Sequence, residues 1–235
     1  MNPKRLVVYE SKTELVRAAA QLLAGAIRET LEQKEICRFS LAGGSTPGPA
    51  YAALADPAIV GRLPFERIEI LFGDERCVPA DDPESNFAMA MAAFGPRFSE
   101  FKAVHRIQGE MEKNAAAAAN EAVLQEPVDV MLLGMGPDCH VASLFPGSIA
   151  FQKEGTLATA VSCPKPPPWR ITVSPEVITA AKNVFVLATG GEKAAALNAV
   201  FSAPVDPMKR PAQLVLDATW LVDGAAASKL FEIGS

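Results

Sequence analysis

The chain has a histidine placed where a buried strand ends. In Gly134-Met135-Gly136-Pro137-Asp138-Cys139-His140 an apolar run gives way to glycines and presents an imidazole. Such a side chain titrates near neutrality and can take a proton from water. Asp138 stands two residues earlier, where it could bind substrate, orient the imidazole or simply cap the turn. Gly43-Gly44-Ser45-Thr46-Pro47 has a different chemistry. Its glycines let the backbone approach an anion, the helix start behind it offers N–H groups and a favourable dipole, and Ser45 and Thr46 add hydroxyls. An ordinary capped strand-to-helix turn would use the same residues. Thr189-Gly190-Gly191-Glu192-Lys193 repeats the pattern with a lysine in the first helical turn. A cation there opposes the helix dipole unless an anion is bound. Gly73-Asp74-Glu75-Arg76 supplies a guanidinium that can pair bidentately with phosphate or carboxylate. Asp74 and Glu75 are then acid–base groups or partners that hold Arg76. Arg170, behind a proline-rich stretch, is another candidate anion clamp.

Other chemistries are poorly supported. Cys139 and His140 are adjacent, whereas a nucleophile–base dyad needs side chains that face each other. No H-x-x-x-H and no Cys pair is present, so no metal is expected. No G-x-G-x-x-G or P-loop pattern supports a nucleotide cofactor, so none is expected. The other histidine, His105, lies in a strand-like stretch without flanking glycines and reads as structural. The formal charge is −5 and no basic stripe occurs, which argues against a nucleic-acid partner. A few local cations can still hold one phosphate against that global sign. Four cysteines without a C-x-x-C read as reduced thiols. No signal-peptide core and no membrane-length apolar run is seen, so the expectation is a cytoplasmic protein without a membrane partner.

The elements that must position these residues alternate in type. Strands are expected at Leu6–Tyr9, Ile36–Leu41, Ile68–Phe72, Val128–Leu133, Val184–Ala188 and Trp220–Val222. Helices are expected from the capping-box pattern at Ser11–Glu14 towards Gln33, over Pro47–Ala55, after Ser85 or Asn86, over Asn114–Leu124, from Glu192, and over Gly224–Phe231. Cys163–Trp169, with four prolines, reads as an ordered surface loop. With 49% apolar residues and no strong internal boundary, residues 1–235 are expected to form a single α/β domain. Its open, mainly parallel sheet should have helices on both faces. In such folds ligands sit beyond the carboxyl ends of the strands, and all four motifs fall there.

Taken together, the motifs resemble those of the 6-phosphogluconolactonase family. The matching pieces are Leu41–Pro47, Asp74–Pro79 with Ser85-Asn86 behind it, Gly134–His140, Ala142–Gly147, Arg170-Ile171-Thr172 and Gly190–Lys193, in the family's order across nearly the whole chain. The resemblance implies a Rossmann-like α/β fold shared with sugar-phosphate isomerases and deaminases. It implies cofactor-free hydrolysis of 6-phospho-D-glucono-1,5-lactone in the oxidative pentose phosphate pathway. It makes His140 the general base and brings Arg76, Arg170 and Lys193 to the anionic substrate. Gly44, Ser45 and Asp138 match family site positions. Three residues depart from the family pattern. Cys139 stands where Gly is usual, Val141 where Thr is usual, and Met91 where Arg is frequent. A side chain at a left-handed Cys139 would cost free energy and could shift His140. Two rivals are weighed against this reading. An amino-sugar-phosphate deaminase/isomerase would carry an Asn-Glu acid pair shortly after the motif histidine, where this chain has Ser143-Leu144-Phe145-Pro146-Gly147. A non-catalytic sugar-phosphate sensor would normally bring a DNA-binding segment. Oligomeric state is read only as monomer or small homo-oligomer.

Overall fold

The computed structural model describes residues 5–163 and 166–230. In chain order the elements are β1 (Arg5–Tyr9), α1 (Lys12–Gln33), β2 (Cys37–Leu41), α2 (Pro47–Ala55), α3 (Pro57–Val60), β3 (Ile68–Phe72), β4 (Asp74–Arg76), α4 (Asn86–Phe94) and β5 (Ala103–Val104). They continue with α5 (Lys113–Val123), β6 (Val130–Gly134), β7 (Ala158–Ser162), β8 (Trp169–Val173), α6 (Pro175–Ala180), β9 (Asn183–Ala188), α7 (Ala194–Ser202), β10 (Thr219–Asp223) and α8 (Gly224–Ala227). Seven strands form one sheet in the order β1-β10-β9-β6-β2-β3-β5, and every pairing in it is parallel.

The strands are apolar on both faces because both faces are covered. Along β6, Val130 and Leu132 join one core while Met131 and Leu133 join the other. The first core also takes Leu23 of α1, Tyr51 of α2 and Phe94 of α4. The second takes Ile178 of α6, Leu197 of α7 and Ala226 of α8, around a fully buried Trp220 whose indole N–H donates to the Val215 carbonyl at 3.0 Å. Helix starts follow side-chain chemistry. Ser11 Oγ accepts from the Glu14 N–H, and Ser85 rather than Asn86 caps α4 by accepting from the Ala88 N–H.

The sequence reading did not foresee a second sheet. Strands β4, β8 and β7 form a three-stranded antiparallel sheet. Strand β4 consists of Asp74-Glu75-Arg76, which lacks an apolar run, and it forms because β8 offers a partner. The proline loop is the connection of the β7–β8 hairpin, with the Cys163 N–H donating to the Pro168 carbonyl. Pro164 and Lys165 of that loop, and Phe231 at the expected end of the last helix, lie outside the described residues. The helix expected from Glu192 begins as a single 3₁₀ turn, Gly191–Lys193, before α7. No helix among the described residues is long and apolar enough to cross a membrane.

Candidate active site

Because the strands run parallel, the ends of β2, β3, β6 and β9 reach one edge of the sheet together. A cavity of about 220 Å³ opens there. Its wall includes Gly43, Gly44, Ser45, Thr46, Asp74, Arg76, His140, Arg170 and Lys193. Of the residues given a catalytic or binding role from sequence, all but Asp138 and Glu75 line this cavity. Asp138 stands directly behind His140.

The turn after β6 is closed by its own backbone. The Gly136 N–H donates to the His140 carbonyl at 2.9 Å and the Cys139 N–H to the Gly136 carbonyl at 3.1 Å. That closure folds Asp138 back onto His140, with Asp138 Oδ1 2.5 Å from His140 Nδ1. With Nδ1–H donating to the carboxylate, Nε2 is the nitrogen that can accept a proton. The imidazole also packs on the Phe145 ring, centroids 4.7 Å apart. Burial alone would raise the Asp138 carboxyl, but the hydrogen bond from His140 and its charge outweigh it and bring the carboxyl to about 2. Asp138 therefore stays a carboxylate across the neutral range. Of the roles open to it from sequence, the geometry displays two: Oδ1 meets the imidazole, and it also accepts the His140 backbone N–H at 3.3 Å, capping the turn.

Cys139 sits between them at φ 68, in the left-handed region that disfavours a Cβ. Its side chain is buried in the second core, with Sγ 3.6 Å from the Ala196 carbonyl. Burial of the thiol offsets the backbone cost, each worth about 1 kcal/mol. Removing the sulfur while keeping the Cβ should expose that cost. Cys139→Ala is expected to lose about 1 kcal/mol in urea unfolding, and Cys139→Gly to stay within about 0.5 kcal/mol of wild type. Equal losses in the two variants would contradict this balance. Val141 is fully buried and Met91 is exposed on α4. Neither they nor Cys139 belong to the cavity wall.

The arginines come from the second sheet. Arg76 and Arg170 are direct cross-strand partners of β4 and β8, an arrangement of like charges that is unfavourable without a compensating anion. Their Nε atoms are buried without a hydrogen-bond partner among the described residues. Arg76 is held from outside by Glu84, through the backbone carbonyl and, at 3.5 Å, the carboxylate. From sequence, Asp74 and Glu75 stood as acid–base groups or as partners that hold Arg76; in the structure the guanidinium bonds to Glu84 instead. Glu75 is buried behind the strand and accepts the N–H groups of Arg76, Asn86 and Phe87, each at 2.8 Å, and the Ser85 hydroxyl at 3.1 Å. Burial pushes its carboxyl up, and those three N–H groups oppose the shift. It anchors the start of α4 and is absent from the cavity wall. Asp74, also buried, accepts from Ser143 Oγ at 2.5 Å and from Asn86 Nδ2 at 3.2 Å, tying β4 to the loop behind His140.

The β2–α2 turn contributes Gly44 at φ +105, a conformation that suits glycine. Thr46 does not cap α2; its hydroxyl pairs with that of Thr189 at 2.8 Å. Asn86 and Thr189 also line the cavity; both stood within motifs read from the sequence, but neither was given a role at the site. Their positions, one behind a capping serine and one before a glycine pair, were the available signals. His105 lies elsewhere, 3.3 Å from Glu69, in keeping with a structural role. No cluster of His, Cys, Asp or Glu able to hold a metal occurs among the described residues.

Comparison with known proteins gives a consistent result. A family model described as glucosamine-6-phosphate isomerases/6-phosphogluconolactonase matches residues 10–222. A 6-phosphogluconolactonase of Nostoc is 32% identical, over 97% of this chain and 98% of its own length. One from Mycobacterium leprae is 33% identical, over 95% and 97%. Among solved structures, the 6-phosphogluconolactonase of Trypanosoma cruzi aligns with a TM-score of 0.85 at 28% identity, covering 98% of each chain. A monomeric glucosamine-6-phosphate deaminase shares the fold, with a TM-score of 0.82 at 22% identity over 96% of this chain and 99% of its own. The chain belongs to the glucosamine-6-phosphate isomerase/6-phosphogluconolactonase family.

Proposed function

We infer that this chain hydrolyses 6-phospho-D-glucono-1,5-lactone to 6-phospho-D-gluconate, the lactone-opening step of the oxidative pentose phosphate pathway. The observation that carries the reading is the Asp138–His140 pair at the wall of a cavity that also holds Arg76, Arg170 and Lys193. His140 Nε2 takes a proton from water as the water oxygen bonds to C1. The tetrahedral intermediate then collapses, the C1–ring-oxygen bond breaks, and the proton returns to the ring oxygen as it leaves. Asp138 fixes the tautomer and stabilises the imidazolium. Lys193 and an arginine grip the remote phosphate, which spends binding energy on orientation. A lactone is already a reactive ester, so one base with good positioning suffices. We take the protein to act as a monomer or small homo-oligomer. The substrate is a soluble metabolite, and we place the protein in the cytoplasm.

Nothing in the site favours a deaminase/isomerase reading. Ser143 follows the motif histidine where an acid pair would stand, and its hydroxyl is committed to Asp74. The test is lactone opening with 6-phosphogluconolactone generated in situ, measured against the spontaneous rate. The expected result is clear acceleration by the wild-type chain, with no ammonia released from glucosamine 6-phosphate. A rate equal to background would remove the hydrolase reading.

A further inference from the structure

The hydroxyl pair Thr46–Thr189 joins two loops that the sheet does not make neighbours. Strand β6 lies between β2 and β9 in the strand order, so the bridge passes over the end of the strand that leads into the His140 turn. Both threonines line the cavity. The first turn of α2 offers fewer backbone donors than the helix start expected from sequence. Pro47 and Pro49 occupy two of the first three positions of α2, and neither has an N–H. Thr46, at the N-cap, makes no side-chain cap. Hydroxyl donors therefore matter more here than at an ordinary helix start.

Each threonine hydroxyl has one proton and two acceptor lone pairs. When two hydroxyls pair, one proton lies in the bridge and the other stays available to a third group. No other hydrogen bond of either hydroxyl occurs among the described residues. On the hydrolase reading given above, that third group is the substrate phosphate. We propose that Thr189 is a positioning residue for phosphate binding: its hydroxyl, 2.8 Å from Thr46, fixes Thr46 so that the pair presents one O–H to the anion between the two glycine turns. Donation to a charged acceptor polarises the bridge and strengthens both bonds. Without the Thr189 hydroxyl, the Thr46 hydroxyl loses the hydrogen bond that fixes its direction.

The test compares wild type, Thr189→Val and Thr189→Ser, with thermal melts run alongside. Valine keeps the shape and removes the bridge; serine restores it. The expected KM of Thr189→Val for 6-phosphogluconolactone rises about tenfold, with kcat changed less than about threefold. Turnover of unphosphorylated glucono-1,5-lactone should fall much less than that of the phosphorylated lactone, and Thr189→Ser should return KM to near wild type. Affinity for 6-phosphogluconate, read by calorimetry without turnover, should fall by a similar factor. An unchanged KM and affinity in Thr189→Val would overturn the proposal. So would an equal loss on both lactones, or a serine variant no better than valine. If wild type fails to hydrolyse the lactone, the reaction assigned above falls, and calorimetry with inorganic phosphate still decides the role of the bridge: weaker binding to Thr189→Val supports it and equal binding overturns it.

Discussion

Replacing His140 by alanine is expected to lower kcat for lactone hydrolysis by about 10³-fold, the usual contribution of a positioned general base. KM should move little, because the phosphate grip lies on other elements. The fold should survive the change. The imidazole is 22% exposed and the turn is closed by backbone bonds that alanine retains. Asp138 loses its partner but is 37% exposed, so its carboxylate stays hydrated. Steady-state kinetics beside a thermal melt will read both quantities. A kcat within about threefold of wild type in a folded protein would remove His140 from the mechanism.

Gly136→Ala is expected to lower kcat by about 10²-fold without touching a reacting group. A Cβ at Gly136 would fall on the Cε1 and Nδ1 atoms of His140, and lie 2.6 Å from Asp138 Oδ1. Its φ is not in the left-handed region, so the penalty is steric rather than conformational. Something must shift, and the side chains in the way are the base and its orienting carboxylate. The Asp138–His140 hydrogen bond should break, and the imidazole should lose its fixed tautomer. Nitrogen NMR of the histidine side chain will report the tautomer, and kinetics the rate. An undisturbed tautomer with wild-type kcat would show that the turn tolerates the methyl and that the pair is looser than its 2.5 Å contact implies.

Much of this site was legible before any coordinates, because parallel α/β chemistry concentrates at strand ends and glycines mark those ends. The apolar runs of β2, β3, β6 and β9 and the glycines behind them locate the cavity almost by themselves. Less legible was what depends on pairing across long separations. Asp74-Glu75-Arg76 forms a strand only because β8 lies beside it, and the cross-strand position of Arg170 follows from that pairing. The division of labour among the carboxylates was equally hidden. Glu75 turns inward to the α4 backbone, Glu84 reaches Arg76 from a loop, and Asp138 folds onto its neighbour. Local spacing does not distinguish these fates, since each depends on where the backbone N–H groups of another element point. The left-handed Cys139 was anticipated as a conditional strain, and the structure supplies both the positive φ and the burial that offsets it.

The proposed reaction requires one orientation of the substrate: the lactone carbonyl at His140, the phosphate at the cations and glycine turns. A crystal structure of the wild-type protein with 6-phosphogluconate tests it most directly. The predicted complex has the product carboxylate within hydrogen-bond reach of His140 Nε2 and the phosphate on Lys193 and an arginine, beside Thr46. A phosphate seated on His140, or a ligand outside this cavity, would contradict the account.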